Sequence, residues 1–216
     1  MYSCMVATIQ PNKVNKVRKL YYEKGYSARK IAESFGVSID AAYYFMRHHG
    51  LKRRTLKEEM SLRFERKALS FRRQKIKNAQ MRTLQAIGAM LYWGEGYKGN
   101  ELTRNSTVDF ANSDPGMVAL FLKFFRVIYK IDEKRLRVLL YCYRNQNVKE
   151  LVNFWSKLTQ IPKQQFSKPY VRFDFKKNTR QMAHGLVHIR YSDKKLLIEI
   201  LNLIKFYKEQ YIAPVG

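Results

Sequence analysis

The chain has 216 residues, of which 42 are Lys or Arg and 17 are Asp or Glu, giving a formal net charge of +25, while 46% are hydrophobic. That apolar share suffices for one or two small cores and excludes a disordered polycation. Positive charge interleaved with Tyr and Phe, rather than set apart in a tail, points to a polyanionic partner, with DNA or RNA ahead of an anionic membrane.

No apolar run reaches the roughly 18 to 20 residues of a spanning helix, and the amino-terminal segment lacks a signal-peptide pattern. The expectation is a soluble, intracellular protein of cytoplasm, nucleoid or nucleus. Cys4 and Cys142 lie far apart with no CxxC partner and no His at zinc-ligand spacing, which argues against disulfides and a structural zinc; Cys142 reads as a small buried strand residue.

Residues 12–54 read as a first domain of three helical stretches, broken at Gly25-Tyr26 and Gly36-Val37. Val14, Val17, Leu20 and Tyr21 share one face of the first helix. Ser27 is a good cap for the second, which buries Ile31, Ala32 and Phe35, and Ser38 can cap the third, with Phe45 and Met46 as core contacts. The pattern Gly25-x-Ser27-x-x-x-Ile31-Ala32-x-x-x-Gly36-Val37-Ser38 resembles the helix-turn-helix of resolvase-like and small transcription-factor domains. That resemblance implies a third helix in the DNA major groove, with Ser38, Asp40, Tyr43, Tyr44 and Arg47 against base edges, and Lys52, Arg53 and Arg54 on phosphate. A small helical bundle with a solvated basic tail is the competing reading.

Residues 55–83 contain neither Pro nor Gly and are dense in Lys and Arg, so they read as a basic helical connector that either spans domains or lies along a phosphate backbone. Phe64, Leu69, Phe71 and Ile76 form no single stripe, which allows a break near Ser70.

From Leu84 an apolar helix runs into Gly94-Glu95-Gly96. An acid at a helix C-terminus faces the negative end of the dipole, and the glycines suit a left-handed stop. This ending resembles the LAGLIDADG homing-endonuclease motif, with Trp93 standing where that motif has its first acid. The resemblance implies that Glu95, helped by the Gly94 carbonyl, holds a divalent metal, Mg²⁺, beside duplex DNA. A single motif further implies a homodimer, packed here through Ala86, Ala89, Met90 and Trp93, although Trp93 reads equally as core.

Residues 84–212 form the second domain, an α+β arrangement. Its strands alternate: Leu136, Val138, Leu140 and Cys142 oppose Arg135, Arg137, Tyr141 and Tyr143, and Val171, Phe173 and Phe175 oppose Tyr170, Arg172, Asp174 and Lys176. Val187, Ile189 and Tyr191 oppose His188 and Arg190, and an earlier strand at 107–112 points Val108 and Phe110 inward. The alternation describes an antiparallel sheet with one face on a core and the other basic and aromatic. Helices at 114–130, 147–158 and 192–210 can cover the inner face, the middle one resembling an insertion into the LAGLIDADG fold; a first hairpin is weakly marked near Lys98 to Arg104.

Two functions fit. One is a sequence-specific double-stranded DNA-binding protein of LAGLIDADG homing-endonuclease-like type that cleaves with Mg²⁺ held by Glu95. The other is a non-catalytic transcription regulator on an endonuclease-derived scaffold, with Glu95 ion-paired. An RNA target stays open, because basic-aromatic strands can stack single-stranded bases. His184 and His188 fall on a strand, too far apart for a metal pair, and His48 and His49 close a helix.

Overall fold

In the computed structural model, which describes residues 8–99, 107–173 and 182–212, the chain divides after Ala68 into two units. The first is helical. Its α1 (Val14–Arg18) is entered through a 3-10 turn and leaves through a π-turn, Lys19–Glu23, that ends at Gly25 with φ of 55°. The turn between α2 (Ala28–Phe35) and α3 (Ile39–His48) is set by Gly36, whose φ of 64° lets the Val37 N–H return to the Ala32 carbonyl at 3.0 Å. Ser27 and Ser38 cap these helices through side-chain oxygens that accept from Lys30 N and Ala41 N. Val17, Tyr21, Ile31, Ala42, Phe45 and Met46 close the core between them.

The basic connector is not one helix. A capping box of Thr55 and Glu58 starts α4 (Leu56–Arg66), which the Arg66 guanidinium ties back to the carbonyls of Lys24 and Gly25, so α4 belongs to the first unit. Beyond it the backbone runs without helix from Lys67 to Asn78. Phe71 is buried there, and the N–H groups of Arg72 and Gln74 donate to the Tyr129 and Ile128 carbonyls at 2.8 Å. Those bonds satisfy the end of another helix and hold the segment extended, which outweighs its helical composition.

In the second unit the order is α5 (Ala79–Glu95), β1 (Val108–Asn112), α6 (Pro115–Tyr129), β2 (Leu136–Tyr143), α7 (Val148–Thr159), β3 (Tyr170–Arg172), β4 (Leu186–Tyr191) and α8 (Lys194–Tyr211). The four strands lie in the order β1-β4-β2-β3. The inner face carries Val108, Phe110, Leu136, Val138, Leu140, Val187, Ile189 and Tyr191, each fully buried, and packs with Phe121, Phe124, Phe125 and Trp155 from the helices.

The sheet is mixed, not antiparallel throughout. β4 pairs antiparallel with β1 and β2, but β3 runs parallel to β2, with Tyr141 opposite Tyr170. A parallel neighbour needs a crossover of a dozen or more residues, and α7 is that crossover. The expected strand at 170–176 is therefore short. Phe173, read as inward, is 73% exposed, and Asp174, Phe175 and Lys176 lie outside the described residues. Most of the expected hairpin near 98–104 lies outside them too. Among the described residues no helix is long and apolar enough to cross a membrane.

Candidate nucleic-acid interface

Helix α5 delivers Glu95 to the edge of the sheet because its last turn is sewn to β1. Gly96 N donates to the Tyr92 carbonyl and Tyr97 N to the Asp109 carbonyl, both at 2.8 Å, while the Tyr92 hydroxyl donates to the Tyr97 carbonyl at 2.7 Å. Gly96 is not in the left-handed region expected of it. Its φ of −85° suits any residue, and what requires glycine is space: a Cβ would lie 2.4 Å from the Tyr92 ring.

The Glu95 side chain is exposed, and among the described residues no basic group pairs with it. Gly94, beside it, has open space where a side chain would be. A shallow cavity of about 470 Å³ joins Gly94, Glu95 and Tyr97 to Asp109, Leu186 and His188 on the outer face of the sheet.

Asp109 is the residue that sequence reading passed over. It stands on β1 opposite Arg190 of β4, with His188 two residues along β4 on the same face, and only 16% of its side chain is exposed. Its Oδ1 lies 2.8 Å from His188 Nδ1, and its Oδ2 accepts from Arg190 Nε at 2.8 Å. Burial pushes its carboxyl up, but the hydrogen bond and charge of His188 and the charge of Arg190 outweigh that and hold it below the ordinary aspartate value. The signal available in sequence was its register: a lone acid at an outward position of the strand.

Around this cluster the outer face is basic and aromatic, as its alternation implied. Tyr141 lies between Tyr170 and His188, with ring centroids 5.1 and 5.0 Å away. Arg172 is exposed on β3, and Tyr143 is half-buried at the end of β2. Two arginines differ from expectation. Arg135 sits in a 3-10 turn before β2, and its guanidinium donates to the Ser192 carbonyl and lies over Tyr191, so it braces the start of α8. Arg137 does face outward, but its Nη1 turns back to the carbonyls of Lys134 and Leu136 at 2.7 Å.

The α5 face offered for pairing also differs. Ala89 is wholly buried, and Gly88 presses on Phe124, so both belong to the core. Trp93 is half-buried against that core with Lys208 over its ring. The outward stripe is Ala86, Ile87, Met90, Leu91 and Gly94, which with Met117 of α6 lines an apolar groove of about 410 Å³.

In the first unit Asp40, Tyr44, Arg47 and His48 are exposed on α3, with Tyr44 stacked on His48. Tyr43 is half-buried under the Arg53 guanidinium, 4.0 Å from its ring centre, and Lys52 is exposed. The Ser38 hydroxyl oxygen accepts from Ala41 N as the cap of α3, and the residue is exposed. Arg54 is a correction: its side chain is 11% exposed, bonded to Glu59 Oε2 and to the carbonyls of Tyr21 and Tyr26, and stacked on Tyr21. It is a strut of the unit, with no donor left for phosphate along those directions.

The donor set around Glu95 suits a hard cation in one particular way. Mg²⁺ is commonly held by one or two carboxylates plus phosphate oxygens of a substrate and water. Of the nearby acids, Glu95 has an exposed carboxylate that could take such a place, while Asp109 is committed to His188 and Arg190. Among the described residues no three His, Cys, Asp or Glu side chains converge as a self-sufficient cage. Comparison of the chain with protein-family models, with curated proteins and with solved structures finds no match to any of them.

Proposed function

We propose that this protein binds double-stranded DNA in a sequence-specific manner, with the helix-turn-helix formed by α2 and α3 and the outer face of the β1-β4-β2-β3 sheet each reading part of a site. The observation that carries this reading is the sheet face. Arg190, His188, Arg137, Tyr141, Tyr170 and Arg172 are gathered on one side of four strands whose other side is a closed apolar core. A twisted ribbon of this kind fits the major groove, where base edges carry a distinguishable pattern of donors and acceptors. The net charge of +25 supplies the phosphate attraction that such a site needs.

The test is selection of duplexes from a random library in chelator, followed by titration against mixed-sequence DNA and against RNA. An enriched motif, bound with a steep salt dependence and in preference to RNA, supports the reading. Uniform binding of all sequences, or stronger capture of RNA, removes it.

A second element follows from the exposed, unpaired Glu95. We infer that two copies of the chain associate through the Ile87 and Met90 stripe of α5, in the manner of the LAGLIDADG family that the motif resembles. In such a dimer a Glu95 from each copy would hold Mg²⁺ beside the DNA backbone, and the metal would supply an activated water for hydrolysis of the phosphodiester. In the non-catalytic alternative, a transcription regulator, the same surface binds without cleavage, so that wild type and Glu95→Gln alike leave the bound duplex intact in Mg²⁺, whereas a nuclease cuts it and loses cutting in the variant.

A further inference from the structure

Arg190 lies on the outer face of β4, one of the two inner strands of the sheet, with β1 on one side and β2 on the other. Its two immediate neighbours across the strands are Asp109 and Arg137. Like charges directly opposite repel, and the two arginines part: Arg137 turns its guanidinium back to backbone carbonyls, while Arg190 leans on Asp109. The carboxylate takes only the Nε hydrogen of Arg190, so among the described residues neither Nη group has an acceptor. The same carboxylate is fixed on its other oxygen by His188 and is almost covered, which prevents it from swinging with the arginine.

From this geometry we infer that Arg190 is a base-reading residue of the interface, specific for guanine, and that Asp109 is the residue that positions it. Guanine offers two acceptors, N7 and O6, on its major-groove edge, and the paired donors of a planar guanidinium match them. A flexible surface arginine meets a phosphate as readily as a base and loses rotamer freedom on doing so. An arginine clamped through Nε has lost that freedom before DNA arrives and keeps its fork pointing away from the clamp. Its place on an inner strand would set it over the groove floor, whereas side chains of the edge strands would lie toward the backbones. Asp109 contributes a second effect, since a carboxylate on this face repels phosphate and so weakens binding to DNA in general.

The inference rests on the DNA-binding reading and fails separately from it. The experiment uses the full chain and the duplex library, with Arg190→Ala, Asp109→Asn and the double variant, and measures both the base preference at each position and the affinity for mixed-sequence duplex. The expected result for Arg190→Ala is loss of a guanine preference at one position by roughly tenfold or more, with the other positions intact. Asp109→Asn should weaken the same preference while leaving mixed-sequence affinity equal or higher, a combination that a misfolded variant cannot give. In the double variant Asp109→Asn should add nothing to the loss caused by Arg190→Ala.

A uniform weakening across all sequences with a shallower salt slope would make Arg190 a phosphate contact and overturn the inference. So would an Asp109→Asn effect that persists undiminished in the absence of Arg190. Wild-type protein that selects no sequence at all defeats the underlying DNA-binding reading instead.

Discussion

Gly88 on α5 and Phe124 on α6 meet so closely that a Cβ on the glycine would fall 2.1 Å from the phenylalanine Cγ. Phe124 is fully buried and rings with Phe121, Phe125 and Tyr129, so it has no room to yield. Gly88→Ala should therefore lower the unfolding free energy of the second unit by about 1–3 kcal/mol, the usual cost of overpacking. Gly94→Ala, six residues on in the same helix with nothing near its Cβ position, should be neutral or stabilising by up to about 1 kcal/mol. Chemical denaturation of the pair is decisive: equal losses would mean that close helix approach is not what Gly88 provides.

The Tyr129 hydroxyl is buried without a hydrogen-bond partner among the described residues, and burial pushes its ionisation well above the ordinary tyrosine value. Removing it should relieve a desolvated polar group at no loss of contact. Tyr129→Phe is expected to leave the second unit as stable or more stable by about 1 kcal/mol; a clear loss of stability in thermal unfolding would show that the oxygen is satisfied in solution.

Arg54 and Arg53 are adjacent in sequence and opposite in role. Arg54→Ala should destabilise the helical unit by about 2 kcal/mol or more, since charge-assisted bonds to Glu59 and to two carbonyls are lost together. Lysine should not rescue it, because a single ammonium cannot span three acceptors in different directions. Arg53→Ala should leave stability nearly unchanged and weaken DNA binding. Far-UV melting curves of the two variants, with binding measured below the transition, separate these outcomes.

How far the sequence disclosed these features follows from what a residue pattern encodes. Period-two alternation tells which side chains share a face, and it placed Leu136, Val138, Leu140, Val187 and Ile189 in the core correctly. It carries no strand direction, so the parallel pairing of β3 was invisible until α7 was seen as a crossover. Caps were legible at Ser27 and Ser38 because they depend on one side chain and a backbone three residues away. Arg54 and Arg135 were misread for the converse reason: their acceptors are carbonyls distant in the chain, to which composition gives no clue. Asp109 was missed because its partners lie on another strand.

The pH dependence of the second unit should expose Asp109. Its carboxyl is held below the ordinary value in the folded chain, so the stability it contributes is present above about pH 4, the unfolded aspartate range, and is lost as pH falls through the folded value. The stability difference between wild type and Asp109→Asn, followed from neutral pH into acid, should shrink over that window. A difference that stays constant down to strongly acidic pH would show that the pairing with His188 and Arg190 contributes nothing through charge.

Association through α5 has its own contrast. Met90 is 37% exposed and Ala89 is fully buried, so Met90→Glu should leave the fold intact and shift sedimentation from dimer to monomer, whereas Ala89→Glu should unfold the second unit. A wild-type chain that sediments as a monomer at all concentrations, with and without DNA, ends the dimer proposal.

The strand that joins the sheet is the last one made. β1 and β2 do not touch each other as neighbours; each is paired through β4, whose residues Leu186–Tyr191 follow the other described strands in the chain. On the ribosome, then, Val108–Asn112 and Leu136–Tyr143 wait with open edges until β4 has emerged, and the loops to be closed are long. The helical unit has its own core and ends at Ala68, so it is expected to form while the remainder is still being synthesised. A chain interrupted before β4 would thus carry a finished helical unit attached to an unfinished, strongly basic sheet.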